Sequence, residues 1–586
     1  MRNREEGDIK MNIILNGYLE EFVKQNHLET LKQDKQFEYF TNYIVLGNFY
    51  ELGKFEIQSL STGENAPGID GIAIIVNNRL CTTETEIDEM IKLNGYLDVD
   101  FYIIQTKLTN GFSGTDMGNE FTWTKFLFQF KIIEKHTSEF KNFIHLAKKI
   151  FDNAKYFRNK LPLLKIFYLC TGKWNNNEEL QVIIDTNLKE IENLNLFSEI
   201  EYFPCDEKKI INYYKNLVSP IEATIQIDQD INLETTESVK SARFTILPYI
   251  EFIKLIQDEN GNKKSVFDGN IRGYLETLEN PVNQSMKDTL NSLDSSKFCL
   301  LNNGITIVTK KLTISGRNYT LNNYQIVNGC QTSNVIYECR NSSFINKVSI
   351  PVKIIETEDE IIQTQITRAT NNQTPVERMQ LEALTDYQKE LEQFYSAKRG
   401  DDNTGLFYER LTNQYRGMSI GNLQIVNIED QMKAFECMFL DKPHLVAGNF
   451  GRIIKTLGIE IFNQNHLKDP YYVCAVCYKK YCELFNQGKA DVRLWRFRYH
   501  ILMIVKYLIT KKPLPTVFNG KDIIEYSNLI IKSIENNTFE NEIKKAELFI
   551  LGIPAIDINH RKSPETKKVV DLLKNEIKKQ IFGWKI

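Results

Sequence analysis

Residues 68–76 read GIDGIAIIV and residues 100–107 read DFYIIQTK. Both are apolar, β-branched and aromatic runs of strand length. Asp70 stands just ahead of the first run, between Gly68 and Gly71, and an acid at a strand mouth needs an explanation. Side chains alternate faces along a strand, so Gln105 and Lys107 point to one side while Ile104 and Thr106 point to the other. If the two strands are antiparallel neighbours, Asp70 meets Gln105 and Lys107. An acid, an amide and an amine then share one cluster.

Phosphodiester hydrolysis uses this combination. Mg²⁺ (or Mn²⁺) takes oxygen ligands, which Asp70, the Gln105 side chain and the Thr106 backbone carbonyl can supply. Lys107 then orients or deprotonates water and stabilises charge on the transferring phosphate. The residues resemble the D-x(n)-(E/Q)-x-K signature of the PD-(D/E)xK nuclease superfamily, in the Q-x-K form of its Mrr-like restriction members. That resemblance implies a further acid on the preceding helix, for which Glu38 in KQFEYFTNYI is the match; Glu51 and Glu56 are weaker substitutes. Asp98 and Asp100 rank lower because they lie at the far end of the second run. Gln105 departs from the commoner Glu and removes a negative charge, so weaker metal affinity and one-ion occupancy are expected. The competing structural reading makes Asp70 a turn cap, Gln105 a satisfied strand residue and Lys107 an exposed charge.

Outward from these strands, LEEFVKQN and KQFEYFTNYIVLGNFY precede them as helices, FTWTKFLFQFKIIEK and FIHLAKKIFDNAKYF follow as helices, and LPLLKIFYLCTG is a third strand. This order predicts an α/β domain over residues 1–220, a mixed sheet flanked by helices. A polar stretch around IDQDINLETTESVK is expected to separate it from a second α/β block, residues 221–420. Residues 421–586 are expected to be mostly α-helical.

The second block contains, in order, NIRG at 270–273, NNGITI at 302–307, QIVNGCQT at 325–332 and ATNNQ at 369–373. These strings resemble the AIPR family, abortive infection phage resistance proteins, over most of residues 240–430. Members frequently carry an amino-terminal PD-(D/E)xK-like domain, so the resemblance implies an antiphage effector with a nuclease-like first domain. The strings place glycines and amides at strand ends, where a helix N-terminus after a glycine turn suits an anion such as a phosphate. Asn303, Gly304, Asn328, Gln331 and Thr332 are the candidates for such a site, with Arg272 adding a guanidinium fork. A distant likeness to the nucleotide-binding core of ParB-like domains accompanies it. Turn formation explains the same residues equally well.

The remaining features mostly exclude. With 42% hydrophobic and 25% charged residues and a net charge of −4, the chain reads as globular with no overall positive field, so nucleic acid would be held by local patches. No apolar run approaches the length of a membrane span and no secretory leader is expected at MRNREEGDIK, which predicts a cytoplasmic protein away from membranes. Ten scattered cysteines predict free thiols, and Cys474 and Cys477 read as core residues of a helix. Seven dispersed histidines, and the absence of a Walker or G-x-S-x-G motif, argue against a histidine-metal nuclease, a P-loop NTPase and a serine hydrolase. The basic, amphipathic tail from Arg561 to Lys585 and the apolar YHILMIVKYLI offer either core or a partner surface. The expected function is a Mg²⁺-dependent endonuclease of antiphage defence, DNA favoured over RNA, gated by the AIPR core through a phage trigger or partner protein. A homodimer would let one site per chain cut both strands. The alternatives are a non-catalytic or nucleotide-binding sensor on an inactive scaffold, and nucleotide hydrolysis in the AIPR core.

Overall fold

The computed structural model describes residues 11–583 except 50–54, 64, 65, 67, 78, 133–135, 158–160, 176, 220, 259, 260, 262, 265, 268–280, 360, 361, 364, 367, 368, 370–381, 384, 400–404, 412, 413, 416, 417, 419, 449 and 561. In the first unit, helices α1 (Ile13–Gln25) and α2 (Gln33–Phe49) precede strands β1 (Gly71–Val76) and β2 (Arg79–Leu80). Helix α3 (Glu84–Asn94), strand β3 (Val99–Lys107), and helices α4 (Gly114–Phe128) and α5 (Ser138–Asp152) follow. Strand β4 (Leu163–Cys170), helix α6 (Glu178–Glu192), strand β5 (Glu199–Cys205) and helix α7 (Glu207–Val218) complete it. The five strands lie in the order β2-β1-β3-β4-β5. β1 runs antiparallel to β3, and β3, β4 and β5 run parallel.

Both faces of this sheet are covered, which is why its strands read as continuous apolar runs rather than alternating ones. Ile72, Ile74, Phe101 and Ile103 pack with Met117, Phe121, Phe140 and Ile144 from α4 and α5. Ala73, Ile75, Tyr102 and Ile104 pack on the opposite face with Leu19, Phe37, Ile44 and Tyr214 from α1, α2 and α7.

The second unit is a six-stranded sheet formed by β6 (Glu222–Gln226), β7 (Asp230–Asn232), β8 (Ser241–Pro248), β9 (Ile305–Ser315), β10 (Asn318–Asn328) and β11 (Ser349–Glu356). Their order is β6-β10-β9-β11-β8-β7. Helices α8 (Tyr249–Ile256), α9 (Pro281–Leu290) and α10 (Cys330–Glu338) cover one face. The polar stretch expected as a separator instead supplies the two edge strands, β6 and β7. In β6, buried Ala223 and Ile225 alternate with exposed Glu222, Thr224 and Gln226, the period-two pattern of an edge strand with one wet face.

The remainder is a helical body around one large core. Its limits differ from the expected division at 420. Helix Asp386–Arg399 already gives Tyr387, Leu391 and Tyr395 to this core, and the short strand Phe407–Glu409 pairs with Ile425–Asn427 across that boundary. An amphipathic helix advertises an apolar stripe but not which core receives it. Helix Arg498–Thr510 is buried almost throughout, and the tail helix Lys567–Gln580 buries Val569, Val570, Leu573 and Ile577, so both segments complete this core. Cys474 and Cys477 are buried core residues, and the described cysteines are free thiols. No helix among the described residues is long and apolar enough to cross a membrane.

The helical body seats against the first unit through polar contacts. Arg498 pairs with Glu56 at 2.8 Å, Tyr478 donates its hydroxyl to the same carboxylate, and Asn486 Nδ2 donates to the Asn26 carbonyl at 2.7 Å.

Candidate active site

The register of β1 on β3 sets Gly71 opposite Ile104, which brings Asp70 beside Gln105. Asp70 Oδ2 accepts two hydrogen bonds, from Gln105 Nε2 at 2.6 Å and from the Thr106 backbone N–H at 2.8 Å. The Gln105 amide nitrogen also donates to the Thr106 carbonyl at 3.2 Å. The positive end of the amide dipole therefore lies between two oxygens suited to a cation. Gln105 Oε1 is buried and has no hydrogen-bond partner. Burial pushes the Asp70 carboxyl above its usual range, against the Thr106 N–H and the Lys107 and Lys35 charges. No hydrogen bond or ion pair ties the half-buried Lys107 amine among the described residues.

Helix α2 brings Glu38 to the other face of the sheet. Its Oε1 accepts from Lys35 Nζ at 2.6 Å and from Ser61 Oγ at 3.0 Å. Thr41, one turn on, shares a hydrogen bond with Thr106 Oγ1 at 2.8 Å. Burial, opposed by Lys35 and reinforced by the Asp70 charge, pushes Glu38 up to about 7. The helix closes tightly on the strand, because a Cβ on Gly71 would lie 2.2 Å from Asn42 Oδ1. Asp100 pairs with Ile75 at the far end of the ladder, away from Lys107. Glu56 is engaged by Arg498 and Tyr478, while Glu51 lies outside the described residues.

Sequence reasoning missed Glu120. It is completely buried on α4, in a stripe with Met117, Phe121 and Thr124. Tyr202 donates to its Oε2 at 3.1 Å, and its Oε1 has no partner. The signal was present in the sequence, since Met117, Glu120, Phe121, Thr124 and Phe128 share one helix face and an acid interrupts that stripe. Among the described residues, no three histidine, cysteine, aspartate or glutamate side chains gather into a metal-binding group. A cation at Asp70 would therefore depend on amide and backbone carbonyl oxygens as well. That all-oxygen donor set fits Mg²⁺ or Mn²⁺.

Of the central strings, NNGITI leads into β9 and QIVNGCQT ends β10 and opens α10. Gly304 and Gly329 both have φ +83°, and Gly329 is the N-cap of α10. A Cβ on Gly329 would lie 2.6 Å from Ile305 Cγ1, and one on Gly304 would lie 2.8 Å from the Pro351 carbonyl oxygen. Gln331 donates to Asn283 Oδ1 and Thr332 Oγ1 faces Met286 Sδ at 3.9 Å, so both side chains engage α9. Asn302 donates to the Phe298 carbonyl at 2.9 Å, and at the same sheet end Asn303 is exposed and Asn328 half-buried. Arg272 and most of the ATNNQ string lie outside the described residues.

No curated protein and no solved structure matches the chain. Residues 267–549, from the middle of the second unit through most of the helical body, match the family model of the AIPR proteins.

Proposed function

We propose that the chain is an abortive-infection effector whose first unit hydrolyses phosphodiester bonds with a divalent cation, DNA being the favoured substrate. The AIPR match supports the defence role. One observation carries the chemistry: Asp70, Gln105 and the Thr106 backbone converge at the mouth of the β1/β3 pair, and Lys107 follows on the same side of the strand.

Asp70, the Gln105 side-chain oxygen and the Thr106 carbonyl would hold the cation. When bound, it would polarise the phosphoryl oxygens and lower the pKa of a coordinated water. For Gln105 to present Oε1, its amide must turn over and release Asp70 Oδ2, which a cation between the two residues makes favourable. Lys107, on the same side of β3 as Gln105, meets the phosphate, orients the attacking water and offsets the charge that develops in the transition state. Thr41 fixes the Thr106 side chain on the opposite face, so the strand carrying these groups is braced from behind.

Cleavage of plasmid DNA and of RNA by the purified chain, with Mg²⁺ and with EDTA, tests this reading. Mg²⁺-dependent cleavage is expected, and Lys107→Ala or Asp70→Asn should lower it by about 100-fold or more while leaving the melting transition cooperative. Wild-type rates in either variant would remove this cluster as the site.

A further inference from the structure

We infer that Glu120 is a further ligand of the divalent cation, restoring from helix α4 the negative charge that Gln105 removes from strand β3; the inference rests on the metal-dependent reading of the Asp70 cluster. Strand alternation places Asp70, Gln105 and Lys107 on the face of Ile72 and Ile103, and that face packs against Met117 and Phe121 of α4. Glu120 lies between these two helix residues in the same stripe, so its carboxylate enters the layer between helix and sheet beside the cluster. Tyr168, directly opposite Gln105 on β4, belongs to the same layer.

Three side-chain oxygens in this layer are buried and unpartnered: Gln105 Oε1, Glu120 Oε1 and the Tyr168 hydroxyl. Buried acceptors without partners are costly and seldom persist in proteins without a bound species that satisfies them. A water molecule would meet the hydrogen-bond demand but bring no charge, so Glu120 would keep its proton. A divalent cation answers the Glu120 oxygen directly and the Gln105 oxygen once the amide has turned over, and the charges of Asp70 and Glu120 together balance it. Glu120 is close enough to the cluster for the charges of Asp70 and Lys107 both to act on it; burial raises its carboxyl well above the usual range, so it gives up its proton when the cation binds. Tyr202 holds the other carboxylate oxygen, which fixes the direction in which Oε1 points.

Calorimetric titration of Mn²⁺ into the full chain, into Asp70→Asn and into Glu120→Gln decides the matter, with thermal melting of each protein with and without Mn²⁺ as a second readout. Glu120→Gln keeps the shape and the acceptor for Tyr202 while removing the charge. Its Mn²⁺ affinity should fall by about tenfold or more, as for Asp70→Asn, and the upward melting shift that Mn²⁺ gives the wild type should shrink to match. Without metal, it should melt close to the wild type, because burial already keeps the Glu120 carboxyl protonated and the substitution exchanges one neutral side chain for another. If Glu120→Gln binds Mn²⁺ like the wild type while Asp70→Asn does not, Glu120 is a neutral structural acid and the inference fails while the Asp70 site stands. If the wild type binds no Mn²⁺, both fail. Should Glu120→Gln not fold, Glu120→Asp, one methylene shorter, is titrated instead, and an unchanged affinity there overturns the inference.

Discussion

Gln105 holds two opposing arrangements in one side chain. Without a cation, its amide nitrogen bonds Asp70 and the Thr106 carbonyl; with one, its oxygen must face the same place. Gln105→Glu removes the donor and sets a second carboxylate against Asp70. The metal-free protein should then lose about 1–3 kcal/mol in denaturant unfolding, and Mn²⁺ should raise its melting temperature more than that of the wild type. Complete loss of cleavage with intact Mn²⁺ binding would instead make Gln105 a substrate contact. Beside it, Gly71→Ala would drive a methyl group into Asn42, and equilibrium unfolding should show a loss of about 1–3 kcal/mol or more.

At the scale of elements, the buried acids of the helices report on how much of the molecule its sequence discloses. Strands β1, β3 and β4 are legible because double burial makes them continuous apolar runs, and the juxtaposition of Asp70 with Gln105 follows from alternation once β1 and β3 pair antiparallel, which the structure supplies. Helix α3 has an equally plain local signal, since Thr83 and Glu86 form a reciprocal capping box. Edge strand β7 pairs over only three residues and leaves no such trace. Glu120 shows what pattern cannot reach: an acid in an apolar stripe is visible, but the group it faces depends on which sheet face the helix covers. Glu436, on helix Ile428–Phe439, is the same case without a catalytic neighbour. Both of its carboxylate oxygens are buried without a hydrogen-bond partner, and burial, opposed by Lys442, pushes it up to about 7. The native state thus binds a proton more tightly than the unfolded chain, and this contribution is full below about pH 4.5 and disappears as pH rises through 7. Glu436→Gln should therefore stabilise the protein by up to roughly 3 kcal/mol at pH 8 and hardly at all near pH 4.5, as melting curves at the two pH values would show.

Across the whole molecule, the segment from Glu56 to Asp70 links the helical body to the candidate site. Glu56 is anchored by Arg498 and Tyr478, and Ser61 of the same segment bonds Glu38. The Arg498 guanidinium also lies 4.6 Å from the Trp495 ring and 4.4 Å from the Tyr499 ring, so its loss removes packing as well as charge. Arg498→Ala should cost about 3–5 kcal/mol, because it leaves the Glu56 carboxylate partly buried and without its cation. Far-UV circular dichroism and tryptophan fluorescence, followed through the same denaturant series, should cease to coincide as the first unit and the helical body uncouple.

The chemical character of that docking surface also bears on synthesis. Every strand of the first sheet has been made once β5 ends at Cys205, whereas Tyr478 and Arg498 lie almost three hundred residues further along the chain. At about 5–20 residues per second, a nascent first unit waits roughly fifteen to sixty seconds before the helices that will cover Glu56 emerge from the ribosome. An apolar patch exposed for that interval would invite aggregation. A carboxylate is well hydrated in the meantime, and its arginine arrives with the last third of the chain.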